Sequence, residues 1–211
     1  LYLYIIVAAI IMETDRALDT LQLRVHHASE IRADPALART ISTCVNDGYR
    51  YMSPKVALSW DPSPIERFPT ANSIHESLGE DGIFAVLYDG TTAIACAAVK
   101  KWIGGFKEYL VVGEEGWEVV AVTTQVQWMR RGLAGRCVDA LIEELIRQAR
   151  EDEKRESGRK LQVWIHAIED LYGPYWKKKG WKEVRAYERP VGDWGSKLGY
   201  RLLVLLQEFE V

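Results

Sequence analysis

Val122-Thr123-Thr124-Gln125-Val126-Gln127-Trp128-Met129-Arg130-Arg131-Gly132-Leu133-Ala134-Gly135 reads as the end of a strand, a short loop and a glycine-bearing helix start. The first turn of a helix carries free N–H groups and the positive end of the macrodipole. Small side chains at Gly132, Ala134 and Gly135 let an anion approach those donors, and Arg130 and Arg131 add charge at the same end. The segment has no Gly-Lys-Ser/Thr ending and lacks the three spaced glycines of a dinucleotide fingerprint. Its residue types suit a diphosphate-containing cofactor.

Outward from this point the chain alternates strands and helices. Upstream, Trp117 to Thr124 is a strong strand. Downstream, Ala134, Val138, Leu141, Leu145 and Ala149 recur at helical spacing and predict a buried stripe, with Glu143 and Arg147 as an outward i, i+4 pair. The mixed-charge run Glu151 to Lys160 reads as a solvated helix end and turn. Leu161 to Ile168 is a further strand, parallel to Trp117–Thr124 across the long helix. Leu171 to Lys179 is a short helix closed by Gly180, and Trp181 to Tyr187 and Tyr200 to Phe209 are strands.

Toward the N-terminus, Leu21 to His27 alternates as a strand. Asp34-Pro35 caps a helix that Asn46-Asp47-Gly48 is expected to stop. Tyr49 to Pro69 is aromatic and irregular, a candidate binding loop. Ala71 to Leu78 is a second helix, and Ile83–Tyr88 and Thr92–Trp102 form a hairpin about Asp89-Gly90. The order is a mixed α/β layout.

The 211 residues suit one core, and a net charge of −3 offers no basic footprint for nucleic acid. Cys44, Cys96 and Cys137 have neither zinc nor redox spacing and read as buried thiols in a reducing compartment, cytoplasmic or nuclear. No metal is expected. Leu1 to Ile11 is entirely apolar but too short to span a bilayer. Residues 1–20 are read as an extension carrying a packed strand, and 21–211 as the domain proper. A membrane partner is not expected.

Met129-Arg130-Arg131-Gly132-Leu133-Ala134 resembles the acetyl-CoA signature of the GNAT superfamily, Gln/Arg-x-x-Gly-x-Gly/Ala, with Met129 in the leading slot. Trp176-Lys177-Lys178-Lys179-Gly180-Trp181 is similar to the aromatic-x-x-x-Gly-Phe ending that follows the fifth strand in that family. The sequence looks most like poorly characterised fungal members. The resemblance implies a central twisted mixed sheet of about seven strands flanked by helices. It also implies acetyl transfer from acetyl-CoA to a primary amine of a small molecule or peptide, by a monomer or homodimer. Carried onto this chain, the pantetheine arm lies along Val122, Thr123 and Thr124, and the pyrophosphate falls on Arg130, Arg131, Gly132, Leu133, Ala134 and Gly135.

An alkyl ammonium must lose its proton before it attacks a thioester. Glu118, at even spacing from Val122 and Thr124, is expected to share their face and to act as base, its alternative being an exposed strand glutamate. The family's tyrosine proton donor falls on Trp176, which leaves Tyr175 and Tyr172 as substitutes that also fit core packing. His166 reads as a hydrogen-bonded strand histidine near the centre, and Lys177 to Lys179 as a solvated run or a hold on the ribose 3′-phosphate. Tyr49, Tyr51, Trp60, Phe68 and Trp194 are the expected acceptor walls. Met129 and Trp176 keep a second reading open, a non-catalytic CoA-binding sensor or scaffold.

Overall fold

The computed structural model describes residues 18–62, 66–106, 109–151 and 160–211. The apolar start of the chain and most of the charged run after Glu151 lie outside these. The chain runs β1 (Gln22–His27), α1 (Ala28–Ala33), α2 (Pro35–Arg50), α3 (Pro54–Ala57), α4 (Ala71–Leu78), β2 (Ile83–Asp89), β3 (Thr92–Lys101), β4 (Trp117–Thr124), α5 (Leu133–Glu151), β5 (Lys160–Ile168), α6 (Glu169–Lys178), β6 (Lys182–Arg189) and β7 (Tyr200–Glu210). The strands form one seven-stranded sheet in the order β1-β2-β3-β4-β5-β7-β6. Of these neighbours only β4 and β5 run parallel, and α5 supplies the crossover between them. This is the mixed, helix-flanked sheet that the sequence predicts.

Each face has its own core. Val138, Leu141 and Leu145 of α5 pack with Val119, Ile165, Leu203 and Trp176 on one face. Ile31, Ile41, Val45 and Ile74 from α1, α2 and α4 pack with Phe84, Cys96 and Ala98 on the other. Because both faces are covered, Ile83 to Tyr88 is buried at every position, which accounts for its unbroken apolar run. The three cysteines are free and buried.

Two local expectations are corrected. Helix α2 continues through Asn46-Asp47-Gly48 to Arg50. Asn46 is turned inward, where its side chain accepts from the Phe68 amide and donates to the Phe68 carbonyl, both at 2.9 Å. Gly48 lies so close to Thr123 that a Cβ would come within 1.8 Å of Oγ1. Both residues serve tertiary contacts rather than a helix stop. On α5, Arg147 pairs with Glu144 and Glu151, not with Glu143. The i, i+4 partner lies C-terminal to it, and an i−3 partner shares the same face.

Candidate active site

The site begins with a fault in β4. Val120 pairs with Ala98 and Thr123 with Cys96, so Ala121 and Val122 together face the single residue Ala97. This is a β-bulge, and Ala121 adopts the left-handed conformation with φ 52°. Such a backbone costs an alanine roughly 1–2 kcal/mol and persists only where its surroundings hold it. Ala121 is fully packed in the α2-side core.

The bulge reverses side-chain parity, which corrects the expected alignment of Glu118 with Val122 and Thr124. Glu118 and Val120 face the α2 side, and beyond the bulge Thr123 does so, against Gly48. Val122 packs into the α5-side core instead, and the pleat turns Thr124 the same way.

The ladder between β4 and β5 covers only Trp117–Val119 against Val163–Ile165. Past that point the strands part, β4 running on to Thr124 and β5 to Ile168. The backbone of Val120–Thr124 on its β5 side is therefore an edge inside the sheet, suited to an extended amide-bearing ligand.

At the apex of this gap, one residue past the last paired Ile165, stands His166. Glu118 Oε1 lies 2.8 Å from its Nδ1, and Oε2 lies 3.3 Å from Nζ of Lys100, the cross-strand partner of Glu118. Burial pushes the Glu118 carboxyl upward in pKa. The His166 hydrogen bond and the Lys100 charge outweigh that, and the net shift is below the usual carboxylate range. His166 Nε2 is buried without a hydrogen-bond partner. Trp102 and Phe106 lie against the imidazole, at 5.4 and 4.5 Å between ring centroids. Trp102 in turn stacks on Trp164 and donates to Glu114, which Arg185 also holds. The sequence reading missed Lys100, Trp102 and Phe106. The register of the β3–β4 pair, which places Lys100 opposite Glu118, was the signal that finds the first of them.

The helix start expected to bind phosphate is backbone-built. A 3₁₀ turn at Val126–Trp128 leads into Arg130 and Gly132 with φ 63° and 74°, and α5 begins at Leu133. Alternating left-handed residues turn successive N–H groups toward one concavity, which favours an anion. A Cβ at Gly132 would meet nothing within 4 Å, so the space before the helix is open. At Gly135, a Cβ would stand 2.8 Å from the Tyr175 hydroxyl. The guanidinium of Arg131 lies over the Trp128 ring, 5.0 Å from its centroid, and Arg130 is exposed.

The two tyrosines separate. Tyr175 packs toward Gly135 in the groove between α5 and α6, with Trp176 and Lys179, on the face opposite Glu118. Tyr172 is half exposed near the start of α6, and surrounding protein pushes its hydroxyl up in pKa. Partial burial also raises Tyr49 in pKa, opposed by the charge of Arg67. Trp176 is buried against Trp181. Lys177 is paired with Glu183 and Lys179 with Asp139.

Of the expected acceptor walls, Trp60 packs on Tyr200, and Trp194 is half exposed against Phe106 and Tyr200. The segment after α2 and the β6–β7 hairpin meet through a bridge between Trp60 and Ser196. Tyr49 and Tyr51 are half exposed. Phe68 departs from the expectation, being buried against Phe84 in the α2-side core. Among the described residues no group of three or more His, Cys, Asp or Glu is placed to hold a metal ion, and no helix is long and apolar enough to cross a membrane.

No family model and no curated protein matches the sequence. Solved structures do match the fold. An acetyltransferase of the GNAT family from Streptococcus pneumoniae superposes with TM-score 0.59 at 11% identity, over 89% of this chain and 100% of its own. The ribosomal-protein-S18-alanine N-acetyltransferase of Escherichia coli gives 0.56 at 11%, over 90% and 96%. YncA of Salmonella typhimurium, described as an acetyltransferase and solved with its cofactor acetyl-CoA, gives 0.56 at 12%, over 90% and 95%. At such identities the likeness speaks for architecture, and in architecture this chain has the fold of the GNAT acetyltransferases.

Proposed function

We propose that residues 21–211 form an N-acetyltransferase domain that moves an acetyl group from acetyl-CoA to a primary amine of a small molecule or peptide by direct attack. The observation that carries this reading is the parting of β4 and β5 just past a bulged β4, with a helix-start anion cradle at one end and a buried carboxylate–imidazole pair at the apex. Acetyl-CoA supplies the activated acetyl group. The amides of Val122, Thr123 and Thr124 are the edge along which its pantetheine arm would lie, and Arg130, Arg131, Gly132, Leu133 and Ala134 would hold its diphosphate. Gly135 supports this helix start by letting Tyr175 approach.

Alkyl ammonium groups have pKa values near ~10, so most are protonated at neutral pH and cannot attack. Glu118 supplies the negative charge on which removal of that proton depends. Tyr172, rather than Tyr175 on the face opposite Glu118, would give a proton to a departing thiolate. The acceptor enters between the segment after α2 and the β6–β7 hairpin. The resemblance to fungal members and a cytoplasmic or nuclear location rest on the sequence alone.

Thiol release measured across polyamines, amino acids, aminoglycosides and histone peptides tests the reading, with CoA binding followed by calorimetry. Turnover of any amine supports it. One observation favours a second reading, a CoA-binding sensor or scaffold: Trp176, in the family's tyrosine slot, is packed in the core and has no acid to offer. Tight CoA binding with no turnover of any amine would establish that alternative.

A further inference from the structure

We propose that the atom receiving the amine proton is Nε2 of His166, and that Glu118 acts through it as the residue that orients and charges the imidazole. The assignment rests on the acetyl-transfer reading and goes beyond it by naming the acceptor atom. It begins with protonation states. The Glu118 carboxyl is held below its usual range, so at neutral pH it is a carboxylate and can only accept hydrogen bonds. The 2.8 Å contact with His166 Nδ1 therefore requires a proton on Nδ1. In the neutral ring this leaves the lone pair on Nε2. That nitrogen is buried and has no hydrogen-bond partner. An unpaired buried polar atom costs roughly 1–3 kcal/mol.

Position gives the same answer. His166 is the first β5 residue past the last β4–β5 pair, so it stands where the strands part. Both Glu118 oxygens are already engaged, one by His166 and one by Lys100, which leaves the carboxylate poorly placed to meet a substrate ammonium. The imidazole side chain is only 11% exposed. Against it lie Trp102, which is buried and stacked on Trp164, and Phe106, which is partly exposed and follows the left-handed Gly104 and Gly105. The charged groups around the ring are Lys100 on β3, Glu118 on β4, Glu114 just before β4, and Arg185 and Arg189 on β6. Arg185 is neutralised by Glu114 and Arg189 by Asp193, which leaves the Glu118–Lys100 pair beside the imidazole.

In the step itself the Nε2 lone pair forms a new N–H bond as the ammonium N–H bond breaks. The freed electron pair stays on the amine nitrogen, which becomes the nucleophile. The imidazolium is stabilised by the Glu118 carboxylate and afterwards gives its proton to water.

Nitrogen-15 histidine labelling with long-range proton–nitrogen spectra reads the tautomer directly, with no cofactor present. The His166 signals are identified by their loss in His166→Gln. If that variant does not fold, elimination with His26→Gln, His27→Gln and His75→Gln identifies them instead. The expected spectrum has a protonated Nδ1 and a bare Nε2 at neutral pH, with the tautomer preference weakened in Glu118→Gln. An Nε2–H tautomer in the wild type would overturn the assignment. Kinetics give the second readout. His166→Gln should lower turnover about a hundredfold or more at neutral pH with CoA affinity unchanged, and the deficit should shrink toward about pH 10, where more of the amine is already neutral. Wild-type turnover in His166→Gln overturns the base assignment alone. A wild-type chain that acetylates no amine overturns the acetyl-transfer reading, and the base assignment with it.

Discussion

The carboxylate of Glu118 sits between opposing forces, since burial favours its neutral form while Lys100 and His166 favour the anion, and the anion wins. A carboxyl whose folded pKa is depressed stabilises the fold above its unfolded pKa and loses that contribution as pH falls through the folded value. Near neutral pH, Glu118→Gln should therefore cost about 1–3 kcal/mol, as expected for weakening the buried hydrogen bond to His166 and removing the charge that Lys100 pairs with. Urea denaturation should show the gap to wild type closing below about pH 4, under the ordinary glutamate range. A gap that is constant down to pH 3 would mean that the carboxylate is solvated. The same substitution should reduce amine acetylation roughly a hundredfold or more with CoA affinity little changed. Glu118 was legible in the sequence as a candidate acid on the strand before the cradle. Its direction was not, because parity arguments assume an unbroken pleat, and no local signal marks Ala121 as the residue that breaks it.

Among elements, the start of α5 shows how two glycines three residues apart do different work. Gly132 needs its left-handed φ of 74° and faces open space, whereas Gly135 has ordinary helical geometry and accommodates Tyr175. Gly132→Glu should weaken CoA binding by roughly tenfold or more in calorimetry, because a carboxylate would stand where the proposed cradle would hold the diphosphate. Gly132→Asn separates charge from backbone, since asparagine tolerates the left-handed region better than most residues, and it should retain more affinity than the glutamate variant. Equal binding by both variants and the wild type would remove the cradle from the site. Further along α5, Leu141→Ala should cost roughly 2–5 kcal/mol and Arg147→Ala less than about 1, because the leucine is fully buried while the Arg147 side chain is half exposed. Denaturant midpoints check the contrast. The phase of this helix was readable because a five-residue apolar stripe fixes it. Its partner pairs were not, because Glu143, Glu144 and Glu151 all lie within sequence reach of Arg147 and rotamers decide among them.

For the whole molecule, the decisive contact joins residues far apart in the chain. Helix α2 crosses the bulged part of β4 with Gly48 against Thr123, and this approach holds the α2-side layer against the strand whose other edge is left free. Sequence patterns place a glycine near a helix end and read it as a stop. Only tertiary packing reveals that it is a point of contact. A methyl group at Gly48 would fall 1.8 Å from Thr123 Oγ1, 3.0 Å from its Cβ and 3.2 Å from its Cγ2. Threonine is stiff about χ1 and lies in a bulged strand, so relief must come from lifting α2. Gly48→Ala should gain up to about 1 kcal/mol in helix propensity and still destabilise the protein, by roughly 1–3 kcal/mol net, because overpacking outweighs that gain. Thr123→Ala removes the two atoms at 1.8 and 3.2 Å and leaves only Cβ at the edge of contact. The double variant should therefore recover most of the loss, with a coupling energy of about 1 kcal/mol or more in a denaturation cycle. Because Thr123 belongs to the edge proposed to bind the cofactor through its main chain, CoA affinity should fall in Gly48→Ala and return in the double variant. Additive stabilities would show that α2 and β4 are not in the contact described. Restored stability without restored affinity would instead place the cofactor away from the bulged strand.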